Sequence, residues 1–438
     1  MSAFVKKYDE YLDETYYYMK HSSGLDIYVM PKELATSYAM ITVKYGSFDN
    51  RFAPKGKSMA EMPEGIAHFL EHKLFDNQDG SDTFEKFAEM GAFCNAYTSF
   101  DRTAYLFSST EGHRECLGLL LDFVFSPYFT EESVKKEQGI IAEEIKMGLD
   151  SPYNRCFHLL TRLLYTDHPV CREIAGSEES VMQINRDMLY SCYNTFYAPF
   201  NMVLTVSGDF DCNEVLTLCN KKLPRLQHKE FTRGEKAEPR SVREKRGEES
   251  AAVSKPIFCV GFKDDGIEKK GRTAMRRALA ADMLCDLLFG QTSTFYGKML
   301  ETGLADRISA SYLSCRSVGF AYVNGTSEDP ETVYGHIMES VREMKHSGID
   351  RAAFSRIKKA MISDMVRSFN STEEICELVA DCALTGCDVF DYGEVLRSIG
   401  VEELEFLLCE LFDERFAAMA VVNKNGEGAP SSENEEEE

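Results

Sequence analysis

The sequence has no tryptophan, an absence that bears on no function, and no apolar run of about eighteen residues, so no membrane-spanning helix is expected. Its fourteen cysteines never form a Cys-x-x-Cys pair. Reduced thiols are therefore the expectation. No signal-peptide pattern is evident, which fits a bacterial-type cytoplasmic protein. Cations are short, with 49 Lys and Arg against 72 Asp and Glu, and the net charge is −23. That balance argues against nucleic acid and against anionic membrane as partners, and suits basic peptides.

Histidine is also scarce, at nine residues, yet two of the nine stand four apart in Gly65-Ile66-Ala67-His68-Phe69-Leu70-Glu71-His72. Positions i and i+4 lie one turn apart on one helix face, so His68 and His72 can direct their rings at a single ion. Glu71 borders that face and can reach a metal-bound water without ligating the metal. The order His-x-x-Glu-His is the inverted zincin signature. At this histidine content chance would produce it only about two times in a hundred in a chain of this length. The bland alternative is an amphipathic helix with two satisfied core histidines.

Catalytic zinc takes three protein ligands and leaves its fourth position to water. A third ligand is needed. Residues Glu131 to Met147 read as a helix with Thr130 at the N-cap and acids near its start. On it Glu137 and Glu144 are seven apart, nearly two turns, and share a face with Ile140 and Ile141 between them. Two carboxylates so placed on a half-apolar face are uncommon on a solvated helix.

These residues carry a resemblance. Pro63 to His72, the run Gly91-Ala92-Phe93-Cys94-Asn95-Ala96-Tyr97-Thr98-Ser99, Thr103-Ala104-Tyr105, and Glu137 to Glu144 follow the order and nearly the spacing of insulinase (pitrilysin) family zinc metallopeptidases. The chain resembles the short-chain members, such as mitochondrial processing peptidase subunits and bacterial homologues. The resemblance implies Zn2+ as cofactor, His68, His72 and Glu144 as its ligands, Glu71 as the general base and Glu137 as an orienting acid behind the metal. Glu143 is the rival third ligand. Its six-residue offset from Glu137 turns it about a third of the way round the helix, which favours Glu144. Asn95, Ala96, Tyr97 and Thr98 are expected to bind substrate, on a strand near a sheet edge that pairs with the peptide backbone. The bland reading of that segment is a core strand followed by a turn. His168-Pro169 and Gly176 read as turn chemistry.

A length of 438 residues exceeds one compact core and suggests two domains. An internal repeat agrees. Thr83-Phe84 to Thr110 is similar to Thr294-Phe295 to Thr326, with Glu89-Met90-Gly91-Ala92 answering to Glu301-Thr302-Gly303-Leu304. Ile184 to Leu189 and Asn201 to Val206 answer to Ile399 to Leu404 and Arg415 to Val421. The expected fold class is α+β, with two homologous insulinase-type domains, each a mostly antiparallel sheet packed with helices, together forming a clam-like half-chamber. The expected bounds are 1–229 for the zinc-bearing domain, 230–255 for a charged, solvated linker that permits hinge motion, 256–424 for the second domain, and 425–438 for a disordered acidic tail.

The second copy has lost the chemistry. Where the histidine helix would recur it reads Ala281-Asp282-Met283-Leu284-Cys285-Asp286-Leu287-Leu288. Many family members also carry an Arg four residues before, and a Tyr three after, the glycine of a Gly-Leu-Ala-Tyr stretch, and these hold substrate near the zinc. Around Gly303 those places are Met299 and Asp306, with Arg307 and Tyr312 nearby but out of register. The implied activity is that of a zinc metalloendopeptidase (EC 3.4.24.-) acting on peptides or small unfolded polypeptides. The alternative is a non-catalytic or partner-dependent subunit of a heterodimeric protease. A homodimer, or a heterodimer with a paralogous chain, is the expected assembly.

Overall fold

The computed structural model describes residues 3–224, 230–267 and 270–425. The acidic tail beyond Asn425 lies outside them. Strands β1 (Val5–Asp9), β2 (Glu14–Lys20), β3 (Asp26–Pro31) and β4 (Ser37–Val43) are followed by a short pair, β5 (Arg51–Pro54) and β6 (Ala60–Glu61), and then by β7 (Phe93–Thr98), β8 (Thr103–Ser109) and β9 (Met202–Gly208). The later strands are β10 (Phe231–Arg233), β11 (Arg246–Ala251), β12 (Ile257–Lys263), β13 (Asp306–Cys315), β14 (Val318–Thr326) and β15 (Ala417–Lys424).

Of the two larger sheets, one has the order β1-β2-β3-β9-β4-β8-β7 and the other β11-β15-β12-β14-β13, and a small third sheet has the order β10-β5-β6. Each of the larger two contains a single parallel pairing, β3 with β9 and β11 with β15. All their other pairings are antiparallel. The sequence repeat is therefore a repeat of architecture. Helix Thr83–Glu89, β7, β8 and helices His113–Val124 and Glu131–Leu149 recur as Thr294–Thr302, β13, β14, Pro330–Ser347 and Arg351–Ser368. The fold is α+β, with two homologous sheet-and-helix halves.

Alternation along the central strands decides what each sheet face buries. In β4, Ala39, Ile41 and Val43 enter the core of the first half, whereas Tyr38 and Met40 face Cys376 and Ala380 of helix Thr372–Thr385 from the second half. In β12, Phe258, Val260 and Phe262 pack with Leu284 and Leu288 of helix Gly271–Phe289. Ile257 and Cys259, on the opposite face, pack with Leu160 and Leu164 of helix Pro152–Leu164, which precedes β9 of the first sheet. Each half thus lends a helix to the other's sheet.

The charged stretch 230–255, largely exposed, contributes two short strands. β10 pairs with β5, and β11 pairs with β15. Between them Glu238 accepts backbone hydrogen bonds from Thr166, Asp167 and His168 and pairs with the buried Lys263 ammonium at 2.7 Å. Glu238 thereby ties the segment to the 166–168 backbone and to β12.

Candidate active site

Two helices of the first half meet at the site. The motif helix runs Ile66–Lys73, and its apolar positions Ile66, Ala67, Phe69 and Leu70 are buried. His68 and His72 are left on the remaining face. The helix starts at Gly65, whose φ of +85° is left-handed, and a Cβ there would collide with the Ala175 carbonyl. Gly176 answers with φ +80° against the Glu64 carbonyl. The turn at 175–176, read from sequence as turn chemistry, therefore packs backbone to backbone against the start of the motif helix. Gly65→Ala is expected to cost about 1–3 kcal/mol for the left-handed backbone alone. A lowered thermal midpoint with reduced zinc uptake is the predicted observation. Unchanged values would contradict this packing account.

The second helix runs Glu131–Leu149 and starts in a capping box between Thr130 and Ser133. Val134, Ile141 and Ile145 anchor it in the core. Glu137 and Glu144 then face the histidines. Glu143 points away: its side chain is 72% exposed and pairs with Lys146 at 2.8 Å.

The His68 and His72 rings stand 4.6 Å apart between centroids. Glu144 lies across from both, its Oε1 3.5 Å from His68 Nε2 and its Oε2 3.4 Å from His72 Nε2. One ligand atom from each of the three lies within 4.8 Å of the other two. Hydrogen bonds of this kind reach only to about 3.2 Å. Tetrahedral zinc with bonds of about 2.0–2.1 Å separates its ligand atoms by about 3.3–3.4 Å. The three donors are close enough to converge on one ion, and two imidazoles with a carboxylate are a zinc donor set.

Glu137 stands behind His72, with Oε1 3.1 Å from Nδ1. Its carboxyl is held below the usual carboxylate range: burial pushes it up, but the His72 hydrogen bond and the Lys73 ammonium outweigh that. His68 Nδ1 is buried without a hydrogen-bond partner, so no group behind the ring orients it as Glu137 does His72. Glu71 is 8% exposed, and burial raises its carboxyl above the ordinary value although the Thr98 hydroxyl, donating to Oε2 at 2.6 Å, opposes this. A raised carboxyl suits proton transfer near neutrality. In front of Glu71 and His72 opens a cleft of about 820 Å³, bordered by Asn95 and Ala96.

Those two residues belong to β7, the edge of its sheet. Asn95 Oδ1 accepts from the Ala96 N–H at 2.9 Å. The Tyr97 hydroxyl donates to Glu377 of the second half at 2.8 Å, and the Thr98 hydroxyl is committed to Glu71. Asn95 and Ala96 thus border the cleft, while the Asn95, Tyr97 and Thr98 side chains are engaged in the contacts just given.

In the second half Met299 is fully buried, and Asp306 pairs with Lys255 at 2.6 Å. Tyr312 is buried and donates to Asp264 at 2.6 Å, while Arg307 contacts the Tyr153 hydroxyl at 3.4 Å. Asp306, Tyr312 and Arg307 are thus engaged with other side chains, and Met299 is enclosed. Sequence reasoning missed Lys73, a buried cation at the end of the motif helix. A lysine in the last helical turn is ordinarily a solvated, dipole-favoured residue, so no signal marks it.

Comparison with known proteins places the chain in a family. The family described as Insulinase (Peptidase family M16) matches residues 34–178, and that described as Peptidase M16 inactive domain matches residues 183–361. The uncharacterized zinc protease YmfH of Bacillus subtilis is 38% identical over 424 residues, 95% of this chain and 98% of the relative. A crystal structure of a putative M16-like peptidase from Alicyclobacillus acidocaldarius superposes with a TM-score of 0.90 at 33% identity, covering 96% and 99% of the two chains. Pitrilysin shares the fold, with a TM-score of 0.76 at 16% identity, and 97% of this chain matches 47% of that one. The chain belongs to the insulinase family of peptidases, family M16.

Proposed function

We propose that this chain is a zinc metalloendopeptidase that hydrolyses peptides or small unfolded polypeptides, with His68, His72 and Glu144 as zinc ligands. The observation that carries this is the convergence of three ligand atoms within 4.8 Å beside the buried carboxylate of Glu71. When bound, zinc supplies Lewis acidity, which lowers the pKa of a water and polarises the scissile carbonyl. Glu71 takes the proton of the attacking water and returns it to the leaving amine. Thr98 holds the Glu71 carboxylate in place, and Glu137 orients His72. The edge of β7 from Asn95 to Thr98 pairs with the substrate backbone, which suits a cleft that accepts extended peptide. Free thiols at all fourteen cysteines and the lack, among the described residues, of a helix long and apolar enough to cross a membrane are compatible with a cytoplasmic setting. A two-domain organisation with bounds at 1–229 and 256–424 belongs to the same proposal.

Met299 and Asp306 favour dependence on a partner, because neither supplies the cationic or phenolic group that would hold a peptide over the metal. The chain matches 47% of pitrilysin, so two chains of this kind would equal it in length. Misplacement by about an ångström can cost two orders of magnitude in rate. The chain alone is therefore expected to cleave a mixed peptide pool weakly, and to gain about a hundredfold with a homologous chain that lacks the histidine helix. Robust cleavage by a monodisperse, single-component preparation would defeat partner dependence.

A further inference from the structure

Lys73 closes the motif helix one residue after His72, and its side chain is only 1% exposed. A buried ammonium persists only where anions compensate it. Two do. Asp76, three residues on, forms a short ion pair with it, and Glu137 Oε2 lies 3.7 Å away. The other oxygen of that carboxylate, Oε1, is the atom 3.1 Å from His72 Nδ1. Glu137 is itself mostly buried, with a side-chain exposure of 14%. One carboxylate thus bridges a buried cation and the back of an imidazole whose Nε2 faces Glu144 at 3.4 Å.

We propose that Lys73 is a positioning residue for the metal site: its ammonium fixes Glu137 so that Oε1 accepts the His72 Nδ1–H and the Nε2 lone pair points at the ion. The proposal rests on the zinc reading above. The geometry supplies the reason. An imidazole that donates from Nδ1 is committed to the tautomer whose Nε2 is free to ligate. A carboxylate with one oxygen drawn to Lys73 cannot swing that hydrogen bond out toward the cleft. A lysine that served only to pair with Asp76 would need no second anion, and Glu137 comes from a separate helix 64 residues downstream.

The test is zinc affinity of the apo chain by chelator competition, together with the visible spectrum of the cobalt-substituted chain. Lys73→Met keeps the unbranched volume without the charge. It is expected to weaken zinc binding about tenfold and to shift the cobalt bands, the low end of what loss of an outer partner costs. Lys73→Arg should retain affinity within about twofold, since it keeps the cation. Glu137→Ala, which removes the acceptor, should lose at least as much, and Lys73→Met added to it should cost nothing more, because both act through one hydrogen bond. Where Lys73→Met does not fold, Lys73→Gln makes the same neutral contrast. Wild-type affinity and spectrum in a folded neutral variant would overturn the proposal. So would losses that simply add in the double variant, or neutral variants that all fail to fold. A wild-type chain that binds no zinc would instead overturn the zinc reading on which the proposal stands.

Discussion

Glu71→Gln is expected to abolish at least roughly 99% of hydrolysis, a hundredfold loss at the low end of what a positioned general base contributes, while the chain keeps its fold and its zinc. The substitution is nearly isosteric. The amide oxygen can still accept from the Thr98 hydroxyl that donates to Glu71 Oε2 at 2.6 Å, so the side chain should stay in place. What is lost is the ability to take a proton from water. Because Glu71 lies between His68 and His72 in sequence yet is not among the three residues that converge within 4.8 Å, metal content should not fall. The measurement is turnover on a peptide pool under conditions in which the unaltered protein is active, with zinc quantified in the same samples. Near-normal turnover would exclude Glu71 from the role of base, and loss of zinc would move it into the ligand set.

His72→Ala has the largest expected effect on the metal. Its Nε2 stands 3.4 Å from Glu144 and its Nδ1 is held by Glu137, so truncation removes a ligand and leaves a buried carboxylate without its donor. Loss of an outer partner alone typically costs 10–100-fold in metal affinity. Loss of a direct ligand should exceed that, and zinc should fall far below one ion per chain by elemental analysis. Undiminished zinc would sink the ligand assignment.

The site was legible because its signals are local. His68, Glu71 and His72 lie within one helical turn, and Glu137 and Glu144 share a face of a helix whose cap, Thr130, is written beside it. The choice of Glu144 over Glu143 follows from helical angle alone, and the structure turns Glu143 to solvent. What failed is what depends on distant partners. Amphipathic helices such as Pro152–Leu164 announce an apolar face but not which sheet it will cover, so the exchange of helices between halves could not be read. The partners of Glu238, Lys263 and the 166–168 backbone, are likewise distant in sequence. Lys73 is the same lesson at the site itself, a surface-type residue buried because Glu137 and Asp76 converge on it.

The central claim is that zinc is held by two imidazoles and one carboxylate in a chain that also carries fourteen cysteines. X-ray absorption at the zinc edge of the purified protein tests it most directly. A first shell of nitrogen and oxygen at about 2.0–2.1 Å, with outer-shell scattering from two imidazole rings, is the predicted result. A sulfur contribution at about 2.3 Å would place the ion on cysteine and contradict the account.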